Sequence, residues 1–402
     1  MTMRRVYLDN NATTPVAPEV YEAMSPYLRE DFGNASSIHW FGQRAKGAIE
    51  DAREQVAKLL NARANEVAFT SGGTESDNTA LFGIVEAARG ESKHVVTTAI
   101  EHHAVLHAAQ ALERRGVKVS YVRVGPSGIV DPGDVERAIR PETVLISVMY
   151  ANNELGTIQP LEEIGRIARK RDIYFHTDAV QAAGKIPIDV EKIAVDLLSM
   201  SAHKLNGPKG VGALYVRRGT ALKPLLYGGS HERDRRPGTE NVPGIVGLGK
   251  ACEIARTHLA DSAARIGALR DRLEEGILQT IPGATVVGDR ANRTPNTANI
   301  AFERIEGEAF VIALDLRGIA CSTGAACSSG AIDPSHVLTA VGRSPAEARS
   351  SIRFSLGKFT SAEDIEYALE VIPAVVQQLR AIVARVSAEA PDSRFSAASK
   401  HA

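Results

Sequence analysis

The chain is poor in cysteine and tryptophan, with three cysteines and one tryptophan among 402 residues. Three cysteines are too few for a disulfide framework and fit a reducing compartment, so we expect a cytoplasmic protein. Positive charge is not in excess, because 47 Lys and Arg residues stand against 48 Asp and Glu, a formal net charge of -1. Nucleic acid is therefore not expected as a partner, since binding to phosphate backbones needs a basic excess.

Long apolar runs are missing as well. No stretch approaches the ~18 apolar residues of a membrane-spanning helix, so no membrane partner is expected. The segment "MTMRRVYLDNNATTP" has two arginines but no apolar core, which argues against a secretory signal. Hydrophobic content of 44% is ordinary for a soluble globular protein.

Short β-branched runs alternate with amphipathic helical segments over the first part of the chain. The runs that predict strands are residues 67–70, 94–99, 117–124, 143–150, 173–178, 195–201 and 210–219. This alternation predicts an α/β fold, with a mostly parallel central sheet that carries helices on both faces.

The pattern changes after about residue 256, where long helical segments and fewer strands predict a smaller α+β domain. We therefore expect a large domain at residues 16–256 and a small domain at residues 1–15 and 257–402. Pro373 lies inside the last helical pattern and should kink or split that helix.

Polar residues that could bind a ligand follow three of the predicted strands, and ligands of open parallel sheets bind at this edge. Residues 71–78, "SGGTESDN", could hold a phosphate on their amides and hydroxyls, or form an ordinary capped turn. Asp178 could meet a cation or a proton donor, or cap the next helix. Lys204 would lose hydration in a cleft, which would lower its pKa and favour a Schiff base.

An anion site, an acid and an amine are together what pyridoxal phosphate requires. The combination is more specific than any one of its parts. Lys209, five residues after Lys204, is interpreted as a structural or phosphate-neutralising residue. His102 is placed to stack on a flat ring or move a proton, unless it is simply a polar residue at a helix start.

Three further segments have a chemical and a structural interpretation. The segment "CSTGAACSSGAIDPSH" (321–336) predicts a mobile loop at about 321–334 with an accessible thiol, or a loose connection with incidental cysteines. Arg353, in an apolar strand, needs an anion from a ligand or from the protein. The segment "GIVGLGKA" nearly matches a P-loop, but Ala251 replaces the magnesium-binding hydroxyl, so nucleotide binding is not expected.

The residues and the order of many short motifs resemble those of cysteine desulfurases of the NifS and IscS group, which are class V aminotransferase-type enzymes. The motifs are "YLDNNATTP", "FGNASSIHWFG", "FTSGGTESDN", "EHHAV", "ANNELGT", "FHTDAVQAAGK", "SAHKLNGPKGVGALYVRRG", "GGSHERDRRPGTEN", "PNTANIAF", "GAACSSG" and "SSIRFSLG". They span residues from about 6 to about 380. Several, such as "NNATTP" and "GTEN", look closer to the NifS type.

The resemblance implies a fold type I pyridoxal phosphate enzyme and assigns roles to individual residues. Lys204 would form the Schiff base, Asp178 would pair with the pyridinium nitrogen, Gln181 with the phenolic oxygen, and His102 would stack on the ring. The other expected cofactor contacts are Gly73, Thr74, Asn153, Ser201, His203 and, from a second subunit, Thr239. The expected substrate contacts are Asn153, Arg353 and Asn34.

The resemblance further implies the reaction and the partners. Sulfur would pass from L-cysteine to Cys327 as a persulfide and leave L-alanine, with Lys204 and His102 also catalytic. The protein would be a homodimer that supplies an iron–sulfur scaffold or another acceptor, in the NifS case for nitrogenase, and Cys327 could transiently bind cluster iron. Cys321 could form a disulfide with Cys327. A selenocysteine lyase, an aminotransferase and a non-enzymatic scaffold remain as alternatives.

Overall fold

The computed structural model describes residues 4–323 and 334–389. The strands are β1 Val6–Tyr7, β2 Val67–Thr70, β3 His94–Thr98, β4 Lys118–Val122, β5 Thr143–Ser147, β6 Tyr174–Asp178, β7 Leu197–Ser201, β8 Gly212–Val216, β9 Ala284–Val286, β10 Thr297–Phe302, β11 Ile319–Ala320 and β12 Ser351–Ser355. Each of the seven strand predictions in the first part of the chain is confirmed, with one strand inside each range.

The helices cover most of the remaining described residues. They are α1 Pro18–Met24, α2 Pro26–Arg29, α3 Trp40–Leu60, α4 Gly73–Ala87, α5 His103–Arg114, α6 Pro132–Ala138, α7 Leu161–Lys170, α8 Val190–Ile193, α9 Val242–Thr257, α10 Leu259–Thr280, α11 Gly307–Asp315, α12 His336–Ala340, α13 Pro345–Arg349 and α14 Ala362–Glu389. Helix α14 continues through Pro373, so of the two predicted effects, a kink or a split, the split is wrong.

A seven-stranded sheet forms the centre of the large unit, in the order β2-β8-β7-β6-β5-β3-β4. Strands β4, β3, β5, β6 and β7 pair in parallel, whereas β8 is antiparallel to both β7 and β2. The prediction of a mostly parallel sheet is confirmed. Because β2 is antiparallel to β8 and β8 is antiparallel to β7, β2 runs in the same direction as β7. Its carboxyl end therefore lies at the same edge as those of the parallel strands.

Both faces of this sheet are covered, as expected for a parallel sheet. Neighbouring residues of one strand join different apolar clusters, because side chains alternate along a strand. Leu145 and Leu197 pack on one face with helices α4 and α5. Ile146 and Leu198 pack on the other face, with α3, α7 and α9. The sheet edge is thereby held rigidly from both sides.

A second apolar core lies around the antiparallel sheet β12-β10-β9. Helices α10, α11 and α14 contribute to it, and so do Val6 and Leu8 from the start of the chain. Strand β1 pairs in parallel with β11, which connects the first residues to this second unit. The two cores support the predicted division into domains, whose boundaries stay a prediction.

Among the described residues, no helix combines the length and the apolar character that a membrane crossing demands.

Candidate active site

A cavity of about 470 Å³ lies at the carboxyl edge of the large sheet. Ten of the residues expected to bind cofactor or substrate line it: Gly73, Thr74, His102, Asn153, Asp178, Gln181, Ser201, His203, Lys204 and Arg353. They come from segments as far apart as α4 and β12. The structure therefore brings the predicted anion site, acid and amine to one place.

Two predicted residues lie elsewhere, and a third is not among the described residues. Asn34 and Thr239 are exposed and do not line this cavity. Their segments adjoin, because Ser36 Oγ lies 3.3 Å from His231 Nε2 in the loop that carries Thr239. Cys327, the expected sulfur acceptor and iron ligand, lies outside the described residues.

Lys204 stands in a short 3₁₀ turn directly after β7. Its Nζ donates hydrogen bonds to the backbone oxygens of Asn11, at 2.5 Å, and Ala12, at 2.7 Å. Burial, together with the positive charge of Arg353, lowers the pKa of Lys204 to about 8, although Asp178 opposes the shift. About a tenth of the amine is therefore neutral at pH 7, far more than at the ordinary lysine pKa, as nucleophilic lysines require.

Asp178 is the last residue of β6 and is 5% exposed. One carboxylate oxygen accepts a hydrogen bond from Val180 N at 2.9 Å, so the capping role considered for it is also present. Burial raises the pKa of Asp178 to about 6, although the Val180 N–H and Lys204 favour the charged form. A cationic partner in the cavity would stabilise its carboxylate further.

The cavity floor contains a second acid that the sequence analysis missed. Asp77 lines the cavity, is 1% exposed, and its Oδ1 has no hydrogen-bond partner in the described chain. Burial raises the pKa of Asp77 well above its usual value, and Asp178 adds to the rise. Two buried acids side by side favour a bound cation or a retained proton.

The start of α4 supplies an anion site. Gly72 is its N-cap and makes no side-chain cap, so the first amides of the helix have no partner within the helix. Gly73 is needed here, because a Cβ would lie 2.7 Å from Val180 Cγ2. Ser201 and His203 line the same cavity. Together with the buried acids, this donor set fits both ends of pyridoxal phosphate.

His102 is the N-cap of α5 and lines the cavity. Its Nδ1 accepts a hydrogen bond from Ala104 N at 3.1 Å, so the alternative role at a helix start is also present. Desolvation by the surrounding protein, followed by the charge of Lys204, lowers the pKa of His102 to about 4. A neutral imidazole that carries its proton on Nε2 follows, which suits stacking on a ring.

Arg353 projects from β12 and is 5% exposed. It donates to Asp9 Oδ1 at 2.7 Å and to the backbone oxygen of Asn153 at 3.1 Å. The ion pair within the protein, one of the two interpretations, is therefore present. The Nε of Arg353 is buried without a partner in the described residues. A carboxylate ligand would satisfy this remaining donor.

Asn11 is the other residue that the sequence analysis missed. Its backbone oxygen accepts from Lys204 and from Gln181 Nε2, the latter at 3.0 Å. Its side-chain oxygen accepts from Lys185 Nζ at 3.1 Å and from Asn296 Nδ2 at 2.9 Å. Asn11 lies inside the motif "YLDNNATTP", but a backbone oxygen has no signature in the sequence.

The remaining candidates are not part of this site. Lys209 is exposed and does not line the cavity. The P-loop-like segment lies inside α9, where no phosphate loop can form. Cys321 is 7% exposed and belongs to the second core, and burial raises the pKa of its thiol. Cys252 is also buried. No cluster of metal ligands occurs among the residues that the structure describes.

Comparison with known proteins assigns the chain to a family. The family Aminotransferase class-V matches residues 6–368. "Cysteine desulfurase IscS" of Methanosarcina thermophila is 53% identical over 377 residues, 94% of this chain and 93% of that protein. The protein of the same name from Dictyoglomus turgidum is 50% identical over 379 residues, 94% of this chain and 96% of that protein.

Solved structures give the same result. A chain described as "NIFS-LIKE PROTEIN" has a TM-score of 0.86 and 40% identity, over 95% of this chain and 100% of that chain. A chain described as "SspA in complex with cysteine" has a TM-score of 0.80 and 40% identity, over 89% of this chain and 100% of that chain. The fold is therefore shared over almost the whole length.

The chain is a class V enzyme that depends on pyridoxal phosphate, with the fold that these enzymes share. Within that class, it belongs to the family of cysteine desulfurases related to IscS and NifS.

Proposed function

We propose that this chain removes sulfur from L-cysteine, releases L-alanine and transfers the sulfur to an acceptor protein for iron–sulfur cluster assembly. One observation carries the proposal: Lys204, Asp178 and Thr74 line a single cavity of about 470 Å³. SspA, whose structure was solved in complex with cysteine, is 40% identical to this chain. That complex supports cysteine as the substrate here.

When bound, pyridoxal phosphate supplies an electron-withdrawing ring that acidifies the bond between Cα and hydrogen of an attached amino acid. Asp178 would meet the ring nitrogen with a negative charge and favour its protonated form. Lys204, with a pKa of about 8, would take the proton from the substrate Cα as a neutral amine. His102 would lie against the ring as a neutral imidazole.

The substrate carboxylate is bound on the opposite wall. Arg353 offers a guanidinium that is already oriented by Asp9 and by the Asn153 backbone oxygen. A carboxylate that contacts Arg353 can also reach the Asn153 side of the cavity. This arrangement orients the amino acid before a proton moves, which lowers the entropic part of the barrier.

Cys327 is the proposed sulfur acceptor, although it lies outside the described residues. Its thiolate attacks the substrate sulfur, a sulfur–sulfur bond forms, and the bond between carbon and sulfur breaks. The electron pair of that bond stays on the carbon product, which takes up protons and becomes alanine. The balance is L-cysteine plus one thiol giving L-alanine plus one persulfide, without an external oxidant.

A homodimer is the proposed assembly. Several large apolar side chains near the turn of Asn34 are exposed: Phe32, Ile38, Trp40 and Phe41. Tyr227, at the start of the loop that carries Thr239, is 80% exposed. The contact of Ser36 with His231 joins the two segments, and large exposed apolar side chains of this kind mark interaction sites. A second copy would bring Thr239 to the phosphate and Asn34 to the substrate.

The sulfur acceptor is proposed to be an iron–sulfur scaffold, with Cys327 as a transient ligand of the cluster iron. A finer role in nitrogenase assembly is supported by the motifs "NNATTP", "HTDAVQA", "GTEN" and "PNTANIAFE". The small number of cysteines supports a cytoplasmic location.

The test is to incubate the purified protein with pyridoxal phosphate, L-cysteine and a thiol reductant, and to measure sulfide and alanine together. Equal amounts of both are expected, and Cys327→Ala should keep the yellow colour but lose sulfide release. Formation of a keto acid instead of alanine would indicate an aminotransferase. Faster turnover of L-selenocysteine, with the Cys327→Ala variant still active, would indicate a selenocysteine lyase.

A further inference from the structure

Lys185 is a second lysine close to the site whose role the proposed reaction does not explain. It follows β6 in the turn that carries Gln181, four residues later, and is half-buried. It lines a second cavity of about 430 Å³, on the other side of Lys204, rather than the active-site cavity. Lys204 lines both cavities, so Lys185 approaches Lys204 from the second cavity and not from the active-site cavity.

The partners of Lys185 are two neutral oxygens. Its Nζ donates to Gln181 Oε1 at 2.6 Å and to Asn11 Oδ1 at 3.1 Å. A charged ammonium has three donors and a neutral amine has two, so either form can make both bonds. The hydrogen-bond arrangement is therefore the same in both protonation states of Lys185.

These bonds fix the orientation of the Gln181 amide. Its oxygen faces Lys185, and one hydrogen of its nitrogen is donated to the Asn11 backbone oxygen at 3.0 Å. A flipped amide would place its oxygen against the Asn11 backbone oxygen, which is also an acceptor, so that bond would be lost in either protonation state of Lys185. Because Gln181 lines the active-site cavity and its oxygen faces Lys185, its second N–H can be donated to a ligand there.

We propose that Lys185 is a positioning residue: it holds the Gln181 amide so that an N–H, and never an oxygen, faces the bound coenzyme. The ring atom that meets Gln181 must then be a hydrogen-bond acceptor, which selects the deprotonated phenolic oxygen of pyridoxal phosphate. This inference rests on the proposed function, because it requires the coenzyme to occupy the cavity.

Asn11 also links Lys185 to Lys204, the lysine proposed to bind the coenzyme. The Asn11 backbone oxygen accepts from both Gln181 and Lys204, while its side-chain oxygen accepts from Lys185. Asn11 is 3% exposed and is held on its far side by Asn296, at 2.9 Å. Lys185 thus fixes two groups on this side of the cavity: Asn11, the acceptor, and the Gln181 amide, the donor.

The experiment is a pH titration of the visible absorption of the loaded enzyme. An N–H aimed at the phenolic oxygen stabilises its anion and so lowers the proton affinity of the coenzyme joined to Lys204. Lys185→Met should raise the titration midpoint by about one pH unit, roughly tenfold in proton affinity. Lys185→Arg, which keeps N–H donors at the end of a long side chain, should recover more than half of that shift.

Lys192→Met is the matched control, because Lys192 is an exposed lysine seven residues further on that pairs with Glu162 at 3.5 Å. Its midpoint should equal that of the unchanged enzyme. A midpoint for Lys185→Met equal to that of Lys192→Met would overturn the inference. Should Lys185→Met fail to fold, Lys185→Gln, which is too short for both bonds, must raise the midpoint in its place.

A double-mutant cycle separates positioning from simple charge. In a Gln181→Met background, Lys185→Met should move the midpoint by less than about 0.3 pH unit, since the amide it positions is gone. An unchanged shift in that background would show that Lys185 acts through its charge alone and would refute the positioning role. If the enzyme without substitutions stays colourless after incubation with pyridoxal phosphate, the proposed function itself is refuted. Failure of the proposed function is thereby distinguished from failure of the positioning role.

Discussion

The two walls of the active-site cavity hold their polar groups by different means. On the sheet-edge wall, Asp178 and Lys204 are side chains placed directly after buried parallel strands. On the opposite wall, residues 9–12 contribute mainly backbone oxygens and the carboxylate of Asp9, and Arg353 reaches them from β12. The first wall belongs to one rigid sheet, whereas the second joins the start of the chain to its last strand.

This difference separates chemistry from orientation. The sheet-edge wall contains the groups with strongly shifted pKa values, which act on protons. The opposite wall contains a salt bridge and a set of amide contacts, which fix positions. Changes on the sheet-edge wall should therefore reduce the rate, and changes on the opposite wall should mainly alter affinity.

The largest effect is expected from Lys204→Ala. Loss of the amine that binds the coenzyme and moves the proton should lower alanine formation by at least about a thousandfold. The visible absorption of the coenzyme should shift as well. Lys209→Ala is the control, since Lys209 is exposed and does not line the cavity, and should keep activity within about twofold. Similar losses in both variants would contradict the assignment of Lys204.

Asp178→Asn should be the next most harmful change. The amide has nearly the same shape but cannot hold the ring nitrogen in its protonated form, so kcat should fall by about a hundredfold. The KM for L-cysteine should change little, because Asp178 is on the sheet-edge wall. Steady-state kinetics at a saturating coenzyme concentration measures both values. A rise in KM with an unchanged kcat would break the division between the walls.

The uptake of coenzyme should depend on pH through Lys204. Burial lowers the pKa of Lys204 to about 8, so the amine is protonated below that value and neutral above it. The rate at which the apoprotein binds pyridoxal phosphate should therefore rise about thirtyfold from pH 6.5 to pH 9. Stopped-flow absorption follows this rate directly. A rate that keeps rising to pH 10.5 would mean an unshifted lysine.

Asp9→Asn tests the opposite wall and should have the smallest effect. Without the negative charge, Arg353 loses the partner at 2.7 Å that orients it, so the KM for L-cysteine should rise about tenfold. The kcat should stay within about twofold. Asp364→Asn removes another acid paired with an arginine, Arg4, far from the cavity, and serves as control. A lower KM would mean that Asp9 competes with the substrate.

Much of the sheet-edge wall could be predicted from the sequence, because the residues there follow strands that the apolar runs reveal. Only strand lengths were overestimated, as in the prediction of 143–150 for β5. Val148 and Met149 are buried and lie beyond the range of β5, but Val148 N still donates to His176 O at 3.1 Å and Tyr150 N to Asp178 O at 2.8 Å. The apolar pattern therefore follows backbone bonds to β6 that continue past the regular strand.

The opposite wall was less accessible to prediction. Backbone oxygens such as those of Asn11 and Ala12 leave no trace in residue type. Arg353 was found because an arginine in an apolar strand is unusual, but its partner Asp9 lies 344 positions earlier in the chain. The reversed direction of β8 did have a signal: the segment of about ten residues after β7 is too short for a parallel crossover.

The pairing of β1 with β11 has a consequence for synthesis of the chain. The second residue pair of this ladder, Tyr7 with Ala320, joins positions about 310 residues apart. When the ribosome has synthesised all strands of the large sheet, β11, the partner of β1, has not yet been made. Closing so long a loop is slow. Asn11 and its oxygens consequently reach their final positions only near the end of translation. The coenzyme site of the nascent chain is therefore completed late.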